Sequence, residues 1–231
     1  MSEFPFLAGT LVVSCQALRS SPLHGPGPMA LMARAAVGGG AGGIRANGPA
    51  DVAAIRAAIS QPIIGINKQG DPGRVFITPT AAAAAEVVRA GADLVAIDGT
   101  SRPRPDGRTL ADHILAIHDQ LGVPVMADVD SAEAGLRARD AGADAIATTL
   151  SGYTAGAPTP DEPDLALVVA LAQQVELPVV AEGRYWTAEA VRAAFDAGAT
   201  AVVVGTAITN PAAITERLIR EIGSMSLVQS A

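Results

Sequence analysis

The sequence predicts a single (β/α)₈ barrel that spans residues 1–231, and three observations lead to this fold class. Eight short apolar runs alternate with alanine-rich stretches of helical spacing. Three helices end in an Ala-Gly-Ala turn, and three strands begin at a proline. The hydrophobic fraction is 49% although aromatic residues are only 3%, which is typical of parallel strands buried on both faces.

The eight apolar runs are the candidate strands. In chain order they are Thr10–Gln16, Gly43–Ala46, Pro62–Lys68, Asp93–Asp98, Val123–Val129, Asp144–Thr149, Leu177–Glu182 and Thr200–Gly205. Helical spacing with charged outer positions lies between them, for example at Thr80–Ala90, Thr109–Leu121, Ser131–Ala141, Asp164–Val175 and Thr187–Ala197. A further helix is expected to begin near Pro211.

Glycine and proline mark the ends of these elements. Glycines suited to a left-handed helix cap stand at Gly91, Gly142 and Gly198. Prolines open strands three, five and seven, where no ladder donor is lost. Strands that follow a glycine turn therefore alternate with strands that begin at a proline. Four repeats of this two-strand unit describe a closed barrel. A doubly wound open sheet is the alternative fold, but it does not need eight strands, and no Gly-x-Gly-x-x-Gly follows the first strand.

Composition excludes several classes of function. A net charge of −7 argues against nucleic-acid binding, which requires a basic face. No apolar stretch is long enough to cross a bilayer, and the N-terminus does not have the pattern of a signal peptide. The single cysteine, Cys15, cannot form an internal disulfide and is expected to pack in the core. We therefore expect a soluble cytoplasmic protein.

The chain has one lysine, Lys68, and all its other basic residues are arginines. Arginine stays protonated in proteins, whereas a partly desolvated lysine can lose its proton and act as a base. In a chain that otherwise uses arginine for its cations, this residue type predicts a catalytic role for Lys68.

The predicted strands are apolar but end in polar residues, and active sites of such barrels lie at the carboxyl ends of the strands. These end residues are Ser14, Gln16, Arg45, Asn67, Lys68, Asp98, Asp128, Thr148, Thr149, Glu182, Gly205 and Thr206. Odd-numbered strands contribute to a common layer. Lys68 and Glu182, four strands apart, should therefore face each other, which is what inversion at an acidic carbon needs.

The loops after strands seven and eight are predicted to bind a phosphate group. Barrels often bind phosphate at these loops, close to a helix N-terminus. Gly183 and Arg184 follow strand seven, and Gly205 and Thr206 follow strand eight. The glycines would let backbone N–H groups approach the anion.

Ten ordered segments resemble the N-acetylmannosamine-6-phosphate 2-epimerase family over essentially the whole chain. They are Ser14–Ala17, Gly43–Ala46, Ile66–Lys68, Val75–Thr80, Asp98–Thr100, Arg102–Pro105, Met126–Val129, Thr148–Thr154, Ala181–Arg184 and Gly205–Thr209. The chain departs from the family pattern at Asn210, where an arginine is common, and at the bulky pair Tyr185-Trp186.

The resemblance implies an N-acylglucosamine-6-phosphate 2-epimerase that uses neither metal nor organic cofactor. It implies Lys68 and Glu182 as the proton-transfer pair, assisted by Gln16, Arg45 and Asp128. Arg184 and Thr149 are further candidates for substrate binding. We also expect a homodimer. Arg102 and Arg104 are either surface charges or, as the resemblance implies, contacts to the substrate or to the second subunit.

Lys68 as the neutral amine would remove the C2 proton of the open-chain sugar, and protonated Glu182 would return one on the other face. Gln16 and Arg45 would donate to the oxygen at C1. Two other functions stay open, a Schiff-base aldolase that uses Lys68 and a non-catalytic sugar-phosphate-binding barrel. His113 and His118 are expected to be solvated.

Overall fold

A computed structural model describes residues 4–6, 8–71, 73–154 and 160–228, and for 224–228 it describes only the backbone. Eight strands alternate with helices along the chain. The strands are β1 (Thr10–Cys15), β2 (Gly43–Asn47), β3 (Ile63–Ile66), β4 (Leu94–Asp98), β5 (Val125–Asp128), β6 (Ala145–Ala147), β7 (Val179–Glu182) and β8 (Ala201–Val204). The helices are α1 (Pro26–Gly38), α2 (Pro49–Ala58), α3 (Ala81–Arg89), α4 (Leu110–Leu121), α5 (Ala132–Asp140), α6 (Leu165–Gln174), α7 (Ala188–Asp196), α8 (Thr206–Thr209) and α9 (Pro211–Val228).

The strands form a closed parallel barrel in the order β1 to β8, which confirms the predicted fold class. Closure is made by β1 and β8, whose register pairs Thr10 with Ala201 and Val13 with Val204. All eight predicted strands are present, although several are shorter than predicted. The carbonyl groups of Pro62, Pro124 and Pro178, just before β3, β5 and β7, accept from the neighbouring strand, so each proline takes part in the ladder without an N–H.

Alternate residues of each strand enter two separate cores, because successive side chains point to opposite faces. One core includes Val12, Ile64, Leu94 and Met126 and fills the barrel interior. The other includes Cys15, as predicted, and joins the strands to the helices. Every second residue of β3, β5 and β7 points into the barrel. The next residues in this alternation, at the carboxyl ends of these strands, are Lys68, Asp128 and Glu182.

The glycines predicted to end three helices have positive φ, with 108° at Gly91, 94° at Gly142 and 101° at Gly198. Side chains other than glycine rarely adopt this conformation, so it explains the repeated Ala-Gly-Ala turn. No helix within the described ranges is long and apolar enough to span a membrane.

Candidate active site

A cavity of about 620 Å³ opens at the carboxyl ends of the strands. Eight of the ten predicted site residues line it, namely Gln16, Lys68, Thr149, Glu182, Gly183, Arg184, Gly205 and Thr206. The other two, Arg45 and Asp128, are buried and are not part of the cavity wall. A volume of this size can enclose a small sugar phosphate.

Lys68 is held by a hairpin that follows β3, which the sequence patterns did not predict. Lys68 and Ile77 form an antiparallel bridge, and the backbone N–H of Lys68 donates to Asn47 Oδ1 at 2.9 Å. Thr78 fastens the hairpin, because its hydroxyl donates to the carbonyl of Ala96 at 2.7 Å and accepts from Asn67 N–H at 3.0 Å. The base of the lysine side chain is therefore fixed to the barrel.

The Lys68 amine lies 5.9 Å from the centre of the Phe76 ring. The side chain is open to the cavity, but the cavity walls remove part of its hydration. This partial burial lowers the pKa of Lys68, and the positive charge of Arg45 adds to the effect, while Glu182 and Asp128 oppose it. The environment as a whole therefore favours the neutral amine.

Beneath the cavity floor, Arg45 binds two carboxylates at once. Its Nη1 and Nη2 donate to Asp128 Oδ1 and Oδ2 at 3.0 and 2.6 Å. Nη1 also contacts Glu182 Oε2 at 2.5 Å. Arg45 is 1% exposed and Asp128 is 0% exposed, so this cluster is shielded from water. Arg45 was predicted to bind the substrate and Asp128 to assist the proton-transfer pair; the structure places Arg45 against Glu182 and Asp128 against Arg45, both beneath the cavity floor.

Glu182 lies at the boundary between this cluster and the cavity. Its backbone is fixed to β6, because Thr148 Oγ1 donates to the Glu182 carbonyl and accepts from the Glu182 N–H, both at 3.0 Å. Burial raises the pKa of Glu182, and the charge of Asp128 adds to this, whereas Arg45 opposes it. The rise means that the cost of burying the carboxylate outweighs the short contact with Arg45.

Lys68 and Glu182 thus line the same cavity, and they form no ion pair in the part of the chain that the structure describes. The environment shifts their pKa values toward each other. Opposed shifts of this kind are typical of an acid–base pair.

The predicted phosphate-binding loops also meet at the cavity. Gly183 and Arg184 both have positive φ, 114° and 65°. Gly205 begins the four-residue helix α8. Within the described residues, the backbone N–H groups of Gly183, Arg184, Thr206 and Ala207 have no hydrogen-bond acceptor. These four donors are available to an anion at the cavity edge.

Two of the five N–H donors of the Arg184 side chain are engaged with backbone carbonyls. Its Nε donates to the carbonyl of Glu162 at 2.6 Å and its Nη1 to that of Ser151 at 2.7 Å. Its guanidinium also lies 5.6 Å from the ring centre of Tyr153. Arg184 therefore connects the loops after β6 and β7, while, among the described residues, both hydrogens of Nη2 and the second hydrogen of Nη1 stay available for the predicted contact with substrate.

The cavity is also lined by residues outside the ten predicted site residues. Phe76, Tyr185, Trp186 and Asn210 all line it. The guanidinium of Arg217, on α9, stacks at 4.8 Å over the Trp186 ring. The sequence singles out Asn210 and the Tyr185-Trp186 pair as departures from the family pattern, whereas no sequence signal points to Phe76 as a site residue.

The loop after β4 contains the two arginines expected to contact substrate or a second subunit. Arg102 lines the cavity and pairs with Asp98 Oδ2 at 2.6 Å. Arg104 is buried, and its Nη2 donates to the carbonyl of Asp98. Arg102 is thus placed for substrate contact, whereas Arg104 supports the loop.

His113 was expected to be solvated, and this expectation is wrong. The side chain is 2% exposed, its Nδ1 accepts from the Ala81 N–H at 3.1 Å, and its Nε2 lies 3.2 Å from Asp106 Oδ1. Burial lowers the pKa of His113. His118 is also partly shielded and bonds Asp144 at 2.7 Å. Neither histidine lines the cavity.

Comparisons with known proteins agree with the resemblance. The model of the NanE family, which covers proteins assigned as N-acetylmannosamine-6-phosphate epimerases, matches residues 29–224. A protein of Cutibacterium acnes, assigned as an N-acetylmannosamine-6-phosphate 2-epimerase, is 50% identical over 211 residues, or 90% of this chain and 92% of that protein. A protein of Caldanaerobacter subterraneus with the same assignment is 47% identical over 92% of this chain and 91% of its own length.

Among solved structures, one supports the same family and another shares the fold. The N-acetylmannosamine-6-phosphate 2-epimerase from Clostridium perfringens superposes with a TM-score of 0.89 at 40% identity, over 93% of this chain and 94% of that one. The thiamine phosphate pyrophosphorylase from Pyrococcus furiosus superposes with a TM-score of 0.59 at 18% identity, over 90% of both chains, so it shares the fold alone.

Proposed function

The chain belongs to the N-acetylmannosamine-6-phosphate epimerase family, and from this membership we propose that it interconverts N-acetylmannosamine 6-phosphate and N-acetylglucosamine 6-phosphate. The observation that carries the mechanism is the pair Lys68 and Glu182. The two groups line one cavity, are not joined by an ion pair within the described residues, and have pKa values that move toward each other.

The reaction begins with the open-chain sugar, in which an aldehyde at C1 makes the hydrogen on C2 acidic. The C2–H bond breaks, the proton moves to the neutral amine of Lys68, and the electron pair is delocalised to the oxygen at C1. Protonated Glu182 then gives its proton to the opposite face of C2. Lys68 ends with an additional proton and Glu182 without one, so Lys68 must lose a proton to solvent and Glu182 must gain one from it before the next turnover in the same direction.

The opposed pKa shifts reduce the free-energy cost of the reactive state, in which Lys68 is neutral and Glu182 is protonated. With ordinary values of about 10.4 for lysine and 4.3 for glutamate, moving a proton from the lysine to the glutamate costs about 8 kcal/mol. Each unit by which the two values approach each other removes about 1.4 kcal/mol of this cost. Burial acts in the required direction on both groups.

Other residues bind and orient the sugar phosphate. Gln16 lines the cavity, and its Nε2 donates to Ser14 Oγ at 2.8 Å. It is our candidate for contacting the oxygen at C1, where negative charge develops. The free N–H groups around Gly183 and Thr206 would bind the phosphate, with the α9 helix N-terminus nearby. Arg45 and Asp128 hold Glu182 from below and do not contact the sugar.

The decisive experiment follows the hydrogen on C2 by proton NMR in heavy water. The substrate is N-acetylmannosamine 6-phosphate in one series and N-acetylglucosamine 6-phosphate in the other. We expect interconversion of the two sugars and replacement of the C2 proton by deuterium. Lys68→Met should abolish both while leaving sugar-phosphate binding measurable by calorimetry. Arg74→Met, which removes an exposed cation from the same hairpin, is the matched control and should keep its activity.

Three outcomes would contradict the proposal. Retention of C2 exchange in Lys68→Met would exclude this lysine as the base. Covalent trapping of substrate on Lys68 by borohydride would indicate a Schiff-base aldolase instead. Binding without turnover by the unmodified protein would leave only a sugar-phosphate-binding function.

A further inference from the structure

Thr149 lies at a branch point of the hydrogen bonds beneath the cavity. Its Oγ1 is 2.7 Å from Asp128 Oδ1 and 3.0 Å from Glu182 Oε2. Nη1 of Arg45 approaches the same oxygen at 3.3 Å. Both carboxylate distances are within hydrogen-bonding range in a single arrangement of the heavy atoms. The hydroxyl can therefore serve either carboxylate by rotation of its hydrogen alone.

A count of hydrogens shows why this matters. A threonine hydroxyl has one hydrogen to donate, whereas two carboxylate oxygens lie within its reach. Nη1 of Arg45 has two hydrogens and faces three acceptors, namely Asp128, Glu182 and Thr149. When Glu182 is ionised, the cluster has more acceptors than hydrogens. When Glu182 gains a proton, its demand for a donor falls and the Thr149 hydrogen is free to turn to Asp128.

We propose that Thr149 is a positioning residue whose hydroxyl donates to Glu182 while this carboxylate is ionised and turns to Asp128 once Glu182 has taken up the transferred proton. The inference rests on the proposed epimerisation, in which Glu182 alternates between these two states. It assigns Thr149 a role that differs from the direct substrate contact expected from the sequence.

The arrangement suits a reversible reaction. Arg45 keeps Glu182 Oε2 in place from the opposite side, so the carboxyl group does not need to move when its charge changes. Hydrogen bonds in a shielded cluster are stronger than those in water, and a buried group left without a partner is costly. The Thr149 hydroxyl turns its hydrogen to Glu182 or to Asp128 as Glu182 loses or gains its proton, which limits this cost in both directions of catalysis.

The test compares three substitutions at this position. Thr149→Val and Thr149→Ala remove the hydroxyl, and Thr149→Ser keeps it. The primary measurement is a ¹³C NMR titration of the Glu182 carboxyl in the ligand-free protein labelled in its glutamate side chains, with Glu182→Gln to assign the signal. Thermal unfolding of each variant shows that it is folded.

The two hydroxyl-free variants should raise the titration midpoint of Glu182 by about half to one pH unit, because the ionised form loses a donor. Thr149→Ser should stay close to the unmodified protein. In the epimerase assay, the hydroxyl-free variants should lower kcat about three- to tenfold with little change in KM. The limb of the pH profile that reports the ionisation of Glu182 should move to higher pH by the same amount.

An unchanged or lowered midpoint in both hydroxyl-free variants would overturn the proposal, as would a serine variant that behaves like the valine one. A higher KM with an unchanged kcat would indicate direct substrate contact instead. The carboxyl titration does not depend on activity. If the unmodified protein neither epimerises nor exchanges C2, the proposed function fails while the titration still decides the role of Thr149.

Discussion

At the scale of single residues, the proposed chemistry depends on one proton shared between Lys68 and Glu182. With ordinary pKa values at neutral pH the amine would be protonated and the carboxyl ionised, so Lys68 could not act as the base and Glu182 could not act as the acid. The cavity walls act on the amine, and burial acts on the carboxyl. The charge of Arg45 helps to lower the pKa of Lys68 but opposes the rise in the pKa of Glu182, which its guanidinium holds in place.

This sharing predicts a bell-shaped dependence of kcat on pH. At low pH both groups are protonated and no base is available, so the rate rises as the pair loses one proton. At high pH the last proton is lost and no acid remains, so the rate falls. The lowered pKa of Lys68 and the raised pKa of Glu182 bring the two limbs closer together than the ordinary interval of about 4.3 to 10.4.

The kcat profile should be measured for both sugars, because it reports groups in the enzyme–substrate complex and avoids the titration of the free substrate's phosphate, near pH 6. Glu182→Gln, which has no titrating carboxyl, is the comparison and should lose nearly all activity. A rate that stays constant up to about pH 10 would contradict a lysine base with a lowered pKa.

At the scale of secondary-structure elements, His113 joins α4 to the first residue of α3. In the folded protein it must be neutral at Nδ1 to accept from Ala81 N–H. Burial lowers its pKa, and the nearby charges of Arg104 and Arg108 add to this, while Asp106 opposes it. Unfolding restores an ordinary pKa of about 6.5, so below this pH the unfolded chain binds more protons.

The stabilising contribution of His113 is therefore present above about pH 6.5 and is lost as pH falls toward its lower native pKa. We expect the free energy of unfolding by urea to decrease between about pH 7.5 and 5.5, and the decrease should be smaller in His113→Asn. The substitution itself should cost about 1 kcal/mol at the higher pH. An equal pH dependence in both proteins would show that His113 does not titrate in this way.

The same contact shows what the sequence could and could not predict. The strands and their polar ends follow from local apolar runs, and Lys68 stood out as the one lysine of the chain. His113 was misplaced because its partner Ala81 lies on another helix, 32 residues away. The burial of Arg45 and Asp128 depends likewise on a contact 83 residues apart in sequence. Spacing along the chain gives no signal for such pairs.

At the scale of the whole molecule, the expected homodimer stays a prediction, and α9 is where we expect the second copy to bind. Leu218, Ile219 and Ile222 on this helix are 55%, 65% and 64% exposed. Three large apolar side chains within one and a half turns are costly to leave in water, and pairing with the same surface of a second copy would cover them. Their removal from water would contribute about 25 cal/mol for each Å² buried.

Light scattering coupled to size exclusion should therefore give twice the chain mass of 23.2 kDa. Ile219→Glu should shift the mass toward that of the monomer, because an unpaired carboxylate in an apolar interface is strongly unfavourable. Leu31→Glu is the matched control, since Leu31 is 66% exposed on α1 and lies outside the proposed interface. A monomeric mass for the unmodified protein at micromolar concentration would contradict the dimer, and an Ile219→Glu variant that keeps the dimer mass would place the interface elsewhere.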